Sequence, residues 1–282
     1  MTYSATSRPD RKARRGPPDI GAEEFRWLRT TVKAASGIHL TADRAAVATA
    51  RIARCLKATG SRTFAEYIAH VEQDATGSAL WLMVDALTVN QTQFFREPDA
   101  YPTYLGCMRE LLRRHETVNV WSAGCATGEE TFTLAMLAHL LIPDAAGRVR
   151  FLGTDISSSV LRSARAGVYD AGRAAELPRL ARPLLEDVGD GTGGLRVARP
   201  VRDMVSFARH NLVGVWQMSG PMHVIFCRNV LLYFDRPTQR RVIGAFHDIL
   251  APGGYLYLGA TETVSTDTHF QYLQPSVYRR PL

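Results

Sequence analysis

Residues 117–141 read TVNVWSAGCATGEETFTLAMLAHLL: a strand-forming run, a turn of small residues, then an apolar helix. A strand that passes through a glycine-containing turn into a helix is one βα unit, and the unit recurs along the chain. VRFLGTDI (149–156) runs into a helix at 157–166. HVIFCRN (223–229) leads to the helix PTQRRVIGAFHDIL (237–250), and YLYLGATE (255–262) follows the turn Pro252-Gly253-Gly254. Short apolar strands alternating with helices bury both sheet faces only when the strands lie parallel between two helical layers. The expected class is therefore α/β, a doubly wound Rossmann-like domain over 117–282. One stretch breaks the rhythm. GDGTGG (189–194) sits between LLEDV and LRVARPV, which predicts a small antiparallel β-subdomain inserted at about 186–206.

The N-terminal part obeys a different pattern. Pro9, Pro17 and Pro18 block helix in residues 1–20, and five basic side chains there repel one another, so a disordered basic arm is expected. Residues 21–89 are free of proline and helical in pattern, with Thr41 as an N-cap and Gly60 as a C-cap of a helix over 42–59. Ala45, Ala48, Ile52 and Leu56 form its apolar face, and Arg44, Arg51 and Arg54 project together from another side. Further helices are expected at 63–73 and 77–89. A small all-helical domain thus precedes the α/β domain, joined to it by a linker over 90–116.

Charge is distributed unevenly between the two. Residues 1–80 hold 13 Lys/Arg against 8 Asp/Glu, whereas 81–282 hold 21 against 19. Such a field suits an acidic partner, either nucleic acid or a carboxylate-rich protein surface; a solvated helix face is the alternative. The basic residues lack the interleaved aromatics of single-strand binders, so no nucleic acid is expected as partner. No apolar run is long enough for a membrane span, and the polar, basic N-terminus is not a secretory signal. The four cysteines, Cys55, Cys107, Cys125 and Cys227, show neither disulfide nor zinc spacing. A reduced, cytoplasmic chain without a metal site is the expectation.

The turn WSAGCATGEE (121–130) carries the chemistry. Small residues, Ala123 and Gly124 among them, let the backbone approach a ligand, and the helix N-terminus offers unpaired N–H groups. Asp155 ends the second strand, where a carboxylate accepts the hydroxyls of a ribose. There is no GxxxxGK[ST] loop, so nucleotide hydrolysis is not expected. Glu129 and Glu130 stand where a dinucleotide fold would receive pyrophosphate. They repel phosphate but suit a cationic nucleoside such as S-adenosylmethionine (SAM), unless they serve only the helix dipole.

Three ordered motifs, NQTQFFREP (90–98), WSAGCATGEE (121–130) and IFCRNVLLYFD (225–235), resemble the CheR-type chemotaxis-receptor methyltransferases. The likeness runs from SGIHL (36–40) and RIARCL (51–56) through FARHNL (207–212) to Tyr278-Arg279. It implies a helical N-terminal domain and a SAM-dependent methyltransferase domain with a β-subdomain. It also implies esterification of glutamate carboxylates in the acidic helical methylation region of a membrane chemoreceptor, with S-adenosylhomocysteine (SAH) as product. By the same resemblance Asn90, Thr92 and Arg96 face cofactor and acceptor. One of Glu129 and Glu130 contacts the methionine end, Asp155 the ribose, and Asn211 and Leu212 the adenine. Asn229, Val230 and Tyr233 fall near the reacting centre. Some relatives dock a receptor's C-terminal peptide on the β-subdomain as an added strand.

Arg96 is an always-charged fork suited to aiming a carboxylate, or alternatively a salt bridge to Glu97. Tyr233 orients the acceptor or packs in the core, and Phe94 and Phe95 are expected to pack. The chain departs from the family's usual residues at Gln91, Gln93, Thr131-Phe132-Thr133 and GATE (259–262), which bears on the acceptor more than on the cofactor. Two other readings stay open: a methyltransferase of this build with a different acceptor, and a non-catalytic regulatory protein that retains the fold.

Overall fold

A computed structural model describes residues 20–218, 220–264 and 269–282, so nearly all of the basic arm expected at 1–20 lies outside the described residues. The described residues form two compact units, one of 20–28 with 41–87, the other of 29–40 with the described part of 88–282.

The first unit is helical. It takes the start of α1 (Ala22–Ser36), then α2 (Ala45–Thr59), α3 (Phe64–Gln73) and α4 (Ser78–Leu87). The face of α2 that buries is Ala48, Ile52, Cys55 and Leu56, one side of a 3.6-residue period. Thr63 caps α3 by accepting the Glu66 N–H, and Gly60 closes α2 in the left-handed region at φ 75°. Thr41 does not cap α2. It precedes a short 3-10 turn, Ala42–Arg44, without a side-chain cap bond, and α2 starts only at Ala45. Arg44, Arg54, Lys57 and Arg62 are exposed, whereas Arg51 is partly buried and donates from Nη1 to the Leu87 carbonyl at 3.1 Å.

The second unit is built on a sheet. Its elements are α5 (Ala100–Arg114), β1 (Val118–Ala123), α6 (Glu129–Leu141), α7 (Ala145–Arg148), β2 (Val149–Asp155), α8 (Ser158–Ala166), β3 (Val168–Tyr169) and α9 (Ala171–Ala175). There follow β4 (Leu185–Asp187), β5 (Leu195–Val197), α10 (Arg199–Arg202), β6 (Val205–Arg209), β7 (Met222–Cys227), α11 (Arg236–Ile249), β8 (Leu250–Leu258), β9 (Gln271–Gln274) and β10 (Val277–Arg279). The seven-stranded sheet has the order β6-β2-β1-β7-β8-β10-β9; β6 through β8 are parallel, and β10 and β9 add antiparallel at the end.

Both faces of the parallel part are buried, and residues alternate between them as strand geometry requires. Val118, Val120, Val224, Phe226, Tyr255 and Tyr257 face one core, shared with α5 and α6. Trp121, Ala123, Ile225, Cys227, Leu256 and Leu258 face the other, shared with α11. The order reverses direction at β1, which lies between β2 and β7. In such sheets the crevice at the carboxyl ends of the strands is where ligands bind.

Two expectations are corrected here. The small sheet is not confined to 186–206: its order is β3-β5-β4, so one of its two edge strands comes from Val168–Tyr169, while Val205–Arg209 belongs to the main sheet beside β2. The last parallel strand also stops at Leu258. Residues 259–262 form a turn in which the Glu262 N–H returns to the Gly259 carbonyl at 2.9 Å.

Candidate active site

The glycine turn is braced by its neighbour strand. The N–H groups of Gly124 and Cys125 both donate to the Thr154 carbonyl, at 2.8 and 2.9 Å. Gly124 has φ 79°, and a Cβ there would lie 2.4 Å from Cγ2 of Val230, so only glycine lets the two loops close on each other. Ala126 is also left-handed, at φ 47°, and donates its N–H to Oδ2 of Asp155 at 2.9 Å. Oδ1 of the same carboxylate accepts the Ser157 N–H at 2.9 Å, and Asp155 is only 8 % exposed. The strand-end aspartate therefore holds the turn in shape.

Glu129 and Glu130 face different partners. Glu129 is fully buried, paired with Arg173 of α9 and bonded by the Thr127 hydroxyl at 2.6 Å. Tyr169 donates to the Thr127 carbonyl at 2.8 Å, so the inserted segment grips the turn from outside. Glu130 accepts from the Ser122 hydroxyl at 2.8 Å and lies 3.4 Å from Nη1 of Arg228. Burial pushes its carboxyl above the usual range, against the opposing pull of Arg228.

The NQTQFFREP segment turns sharply at Arg96. Phe95 and Glu97, on either side, are left-handed at φ 54° and 50°. Each costs about 1–2 kcal/mol for a residue with a side chain, so the conformation persists only where the surroundings impose it. They do. The Phe95 N–H donates to Oγ1 of Thr133 at 3.1 Å, and the Arg96 carbonyl accepts from the Tyr101 hydroxyl at 2.9 Å and from Arg228 at 2.8 Å. The Arg96 guanidinium is left half-exposed, donating to the Gln91 carbonyl at 3.1 Å and standing 3.7 Å from Glu97. The alternative of a salt bridge to Glu97 is thus a long contact, and the closer partner of Glu97 is Arg228, at 2.9 Å. Burial works to raise the Glu97 carboxyl, but the bond and charge of Arg228 prevail and hold it below the usual range.

Arg228, whose side chain is 2 % exposed, was not among the residues singled out from the sequence. It bonds the Arg96 backbone, Glu97 and Glu130 together and lies 6.0 Å over the Tyr101 ring. Its signal was visible: an arginine at the end of the apolar run HVIFC. Next to it, Asn229 is left-handed at φ 60°, and its Nδ2 lies 3.4 Å from Oε1 of Glu97. Glu262 was missed as well. Its buried carboxylate accepts the N–H groups of Asn229, Val230, Leu232 and Gly259.

The structure therefore gathers Arg96, Glu130 and Asn229 around Arg228, and Ala123, Gly124 and Asp155 with Val230 around the turn. Asn90 and Thr92 lie half-buried on the segment before Arg96. Tyr233 is half-buried in a 3-10 turn, Leu231–Tyr233, whose carbonyl accepts the His39 N–H at 2.8 Å. Asn211 spends its side chain on bracing: Nδ2 donates to the Ala35 carbonyl at 2.8 Å and Oδ1 accepts the Val213 N–H at 3.2 Å. Leu212 packs at the edge of the core that holds Trp121.

The profile of the CheR methyltransferase SAM-binding domain matches residues 90–279, and that of the CheR methyltransferase all-alpha domain matches 23–88. The chain belongs to the CheR methyltransferase family. It is a SAM-dependent methyltransferase of chemotaxis. Chemotaxis protein methyltransferase 2 of Pseudomonas aeruginosa is 33% identical over 250 residues, spanning 88% of this chain and 89% of that one. The chemotaxis protein methyltransferase of Klebsiella aerogenes is 33% identical, over 89% of this chain and 86% of its own. That of Escherichia coli is 32% identical, over 86% and 84%.

The residues present fit the family's cofactor. A turn of small side chains, one buried carboxylate at the end of β2 and an acid at the start of α6 have the chemistry that a ribose and an ammonium require. The departures from the family pattern fit as well. Thr133 keeps a hydroxyl, and that hydroxyl holds the turn at Phe95; GATE keeps the glutamate that binds the 229–232 loop. Among the described residues no cluster of His, Cys, Asp or Glu could hold a metal, and all four cysteines are free and buried. No described helix is long and apolar enough to cross a membrane.

Proposed function

We propose that this methyltransferase esterifies glutamate side-chain carboxylates in an acidic helical region of a membrane chemoreceptor, working in the cytoplasm. The observation that carries this reading is Arg96, a half-exposed fork held on a backbone that Arg228, Tyr101 and Thr133 force into shape. A glutamate is already ionised at neutral pH, so its methylation needs no strong base. What it needs is desolvation and aim. Arg96 supplies the aim, as a planar, permanently charged partner for a carboxylate. Glu130 is the acid that meets the cofactor's ammonium, because its side chain keeps 14 % exposure whereas Glu129 is fully buried against Arg173. Asp155 takes the ribose hydroxyls, while Ala123, Gly124 and Val230 shape the turn against it. Asn90, Thr92 and Asn229 border the methionine end, Leu212 and the backbone at Asn211 the adenine, and Tyr233 the acceptor. When bound, SAM supplies an electrophilic methyl group carried on sulfonium.

Two features support the choice of partner. Arg44, Arg54 and Lys57 are exposed on or beside α2 and complement an acidic helix. In the small sheet, β4 pairs among the described residues with β5 alone, which leaves an edge for a receptor peptide to add a strand. The deciding experiment is transfer of labelled methyl groups to host membranes. The label should enter a receptor-sized protein in a base-labile form. Base-stable label, or label in a small metabolite, would assign a different acceptor. A titration with the receptor's C-terminal residues should release heat; no heat would remove the docking edge.

A further inference from the structure

Glu262 sits in the turn after β8, and the residue is 5 % exposed. Oε1 accepts the N–H of Val230 at 2.8 Å and of Leu232 at 3.2 Å; Oε2 accepts those of Asn229 and Gly259, both at 2.8 Å. Four backbone donors thus converge on one buried carboxylate, and three of them belong to the loop 229–232. Gly259 makes room for this. A Cβ there would lie 2.8 Å from Oε2 of Glu262 and 2.9 Å from the Asn229 nitrogen.

We infer that Glu262 is a positioning residue for the methyltransferase site, holding Asn229 and Val230 in the conformation that meets the cofactor. This rests on the cofactor reading above. The loop has no regular ladder to hold it, since β7 ends at Cys227 and Asn229 is left-handed. A carboxylate, which accepts at both oxygens and donates at neither, satisfies all four groups at once. The consequence reaches the site at two points. Val230 presses on Gly124 across the turn, and Asn229 aims its amide at Glu97 beside Arg96. A loop released from Glu262 would loosen both walls together.

The substitution Glu262→Gln puts an N–H₂ donor against one pair of N–H groups while nearly preserving volume. The folded variant, with wild-type far-UV circular dichroism, should bind SAH at least about tenfold more weakly than wild type, since buried donors lose their partner. Glu262→Asp keeps the charge but is one methylene too short, and it should not restore affinity. Hydrogen exchange provides a reading that needs no variant: the amides of 229, 230, 232 and 259 should already be protected in wild type without cofactor. Unchanged SAH affinity in a folded Glu262→Gln, restoration by aspartate, or protection of those amides only after SAH is added would each overturn the inference. Wild type that fails to bind SAH would instead remove the cofactor reading itself.

Discussion

The N–H of Ala126 donates to Oδ2 of Asp155 across 2.9 Å, which ties the glycine turn after β1 to the carboxyl end of β2. The same carboxylate that suits a ribose is therefore also the brace of the backbone beside it. Asp155→Ala should lose both functions and raise the SAH Kd at least about tenfold, as expected for bonds to a charged acceptor. Calorimetry checks this, and unchanged binding would take Asp155 out of the site.

Arg96 is fixed through its backbone carbonyl, so its side chain can be changed without removing the bonds from Arg228 and Tyr101. Arg96→Ala should lower turnover far more than SAH affinity. Lysine should rescue poorly, because it lacks the planar fork. Equal losses in binding and turnover would make Arg96 a cofactor ligand rather than an acceptor guide.

Burial raises the Glu130 carboxyl above its ordinary value, so it takes up a proton at a higher pH than a solvated glutamate. If its anion holds the cofactor's ammonium, SAH affinity should fall on acidification, starting above the usual range near about 4.3. In Glu130→Gln that part of the pH dependence should vanish, with weaker binding at neutral pH. A variant whose binding follows the wild-type pH curve would assign the dependence to another group.

The basic surface of the helical unit can be tested on its exposed arginines. Arg51 is unsuitable, because it also bonds the carbonyl at the end of α4. Reversing the exposed Arg44 and Arg54 to glutamate should raise the KM for receptor, flatten its salt dependence, and leave SAH affinity alone. Wild-type rates of receptor methylation at both low and high salt would show that this surface does not dock the receptor.

Asp235 caps α11 by accepting the Thr238 N–H at 3.1 Å and receives Lys33 Nζ at 2.6 Å. The Lys33 bond, followed by the cap, holds its carboxyl far below the usual range. A depressed carboxylate stabilises the fold above its unfolded value of about 3.9 and loses that contribution as pH falls toward the folded value. The Tm difference between wild type and Asp235→Asn should therefore be largest near neutrality and shrink below about pH 4. A difference that stays constant down to pH 2 would mean the ion pair contributes nothing.

The α/β architecture, the βα order and the positions of the glycine turn and Asp155 were legible in the residues, because period, turn chemistry and strand-end acids are local signals. So was the burial of Phe94. What distinguishes Glu129 from Glu130 was not, since two adjacent acids at a helix start look alike until Arg173 and Arg228 arrive from 44 and 98 residues away. Arg228 and Glu262 escaped for the same reason. An isolated charge beside an apolar strand reads as a surface residue until the fold removes water from it, and only then must it find partners. Local sequence determined where the chain turns and which strands are buried; the parallel pairing of β2, β1, β7 and β8, with α9 brought against the turn, decided which charges meet. That meeting depends on contacts between residues far apart in sequence, for which no short-range pattern exists.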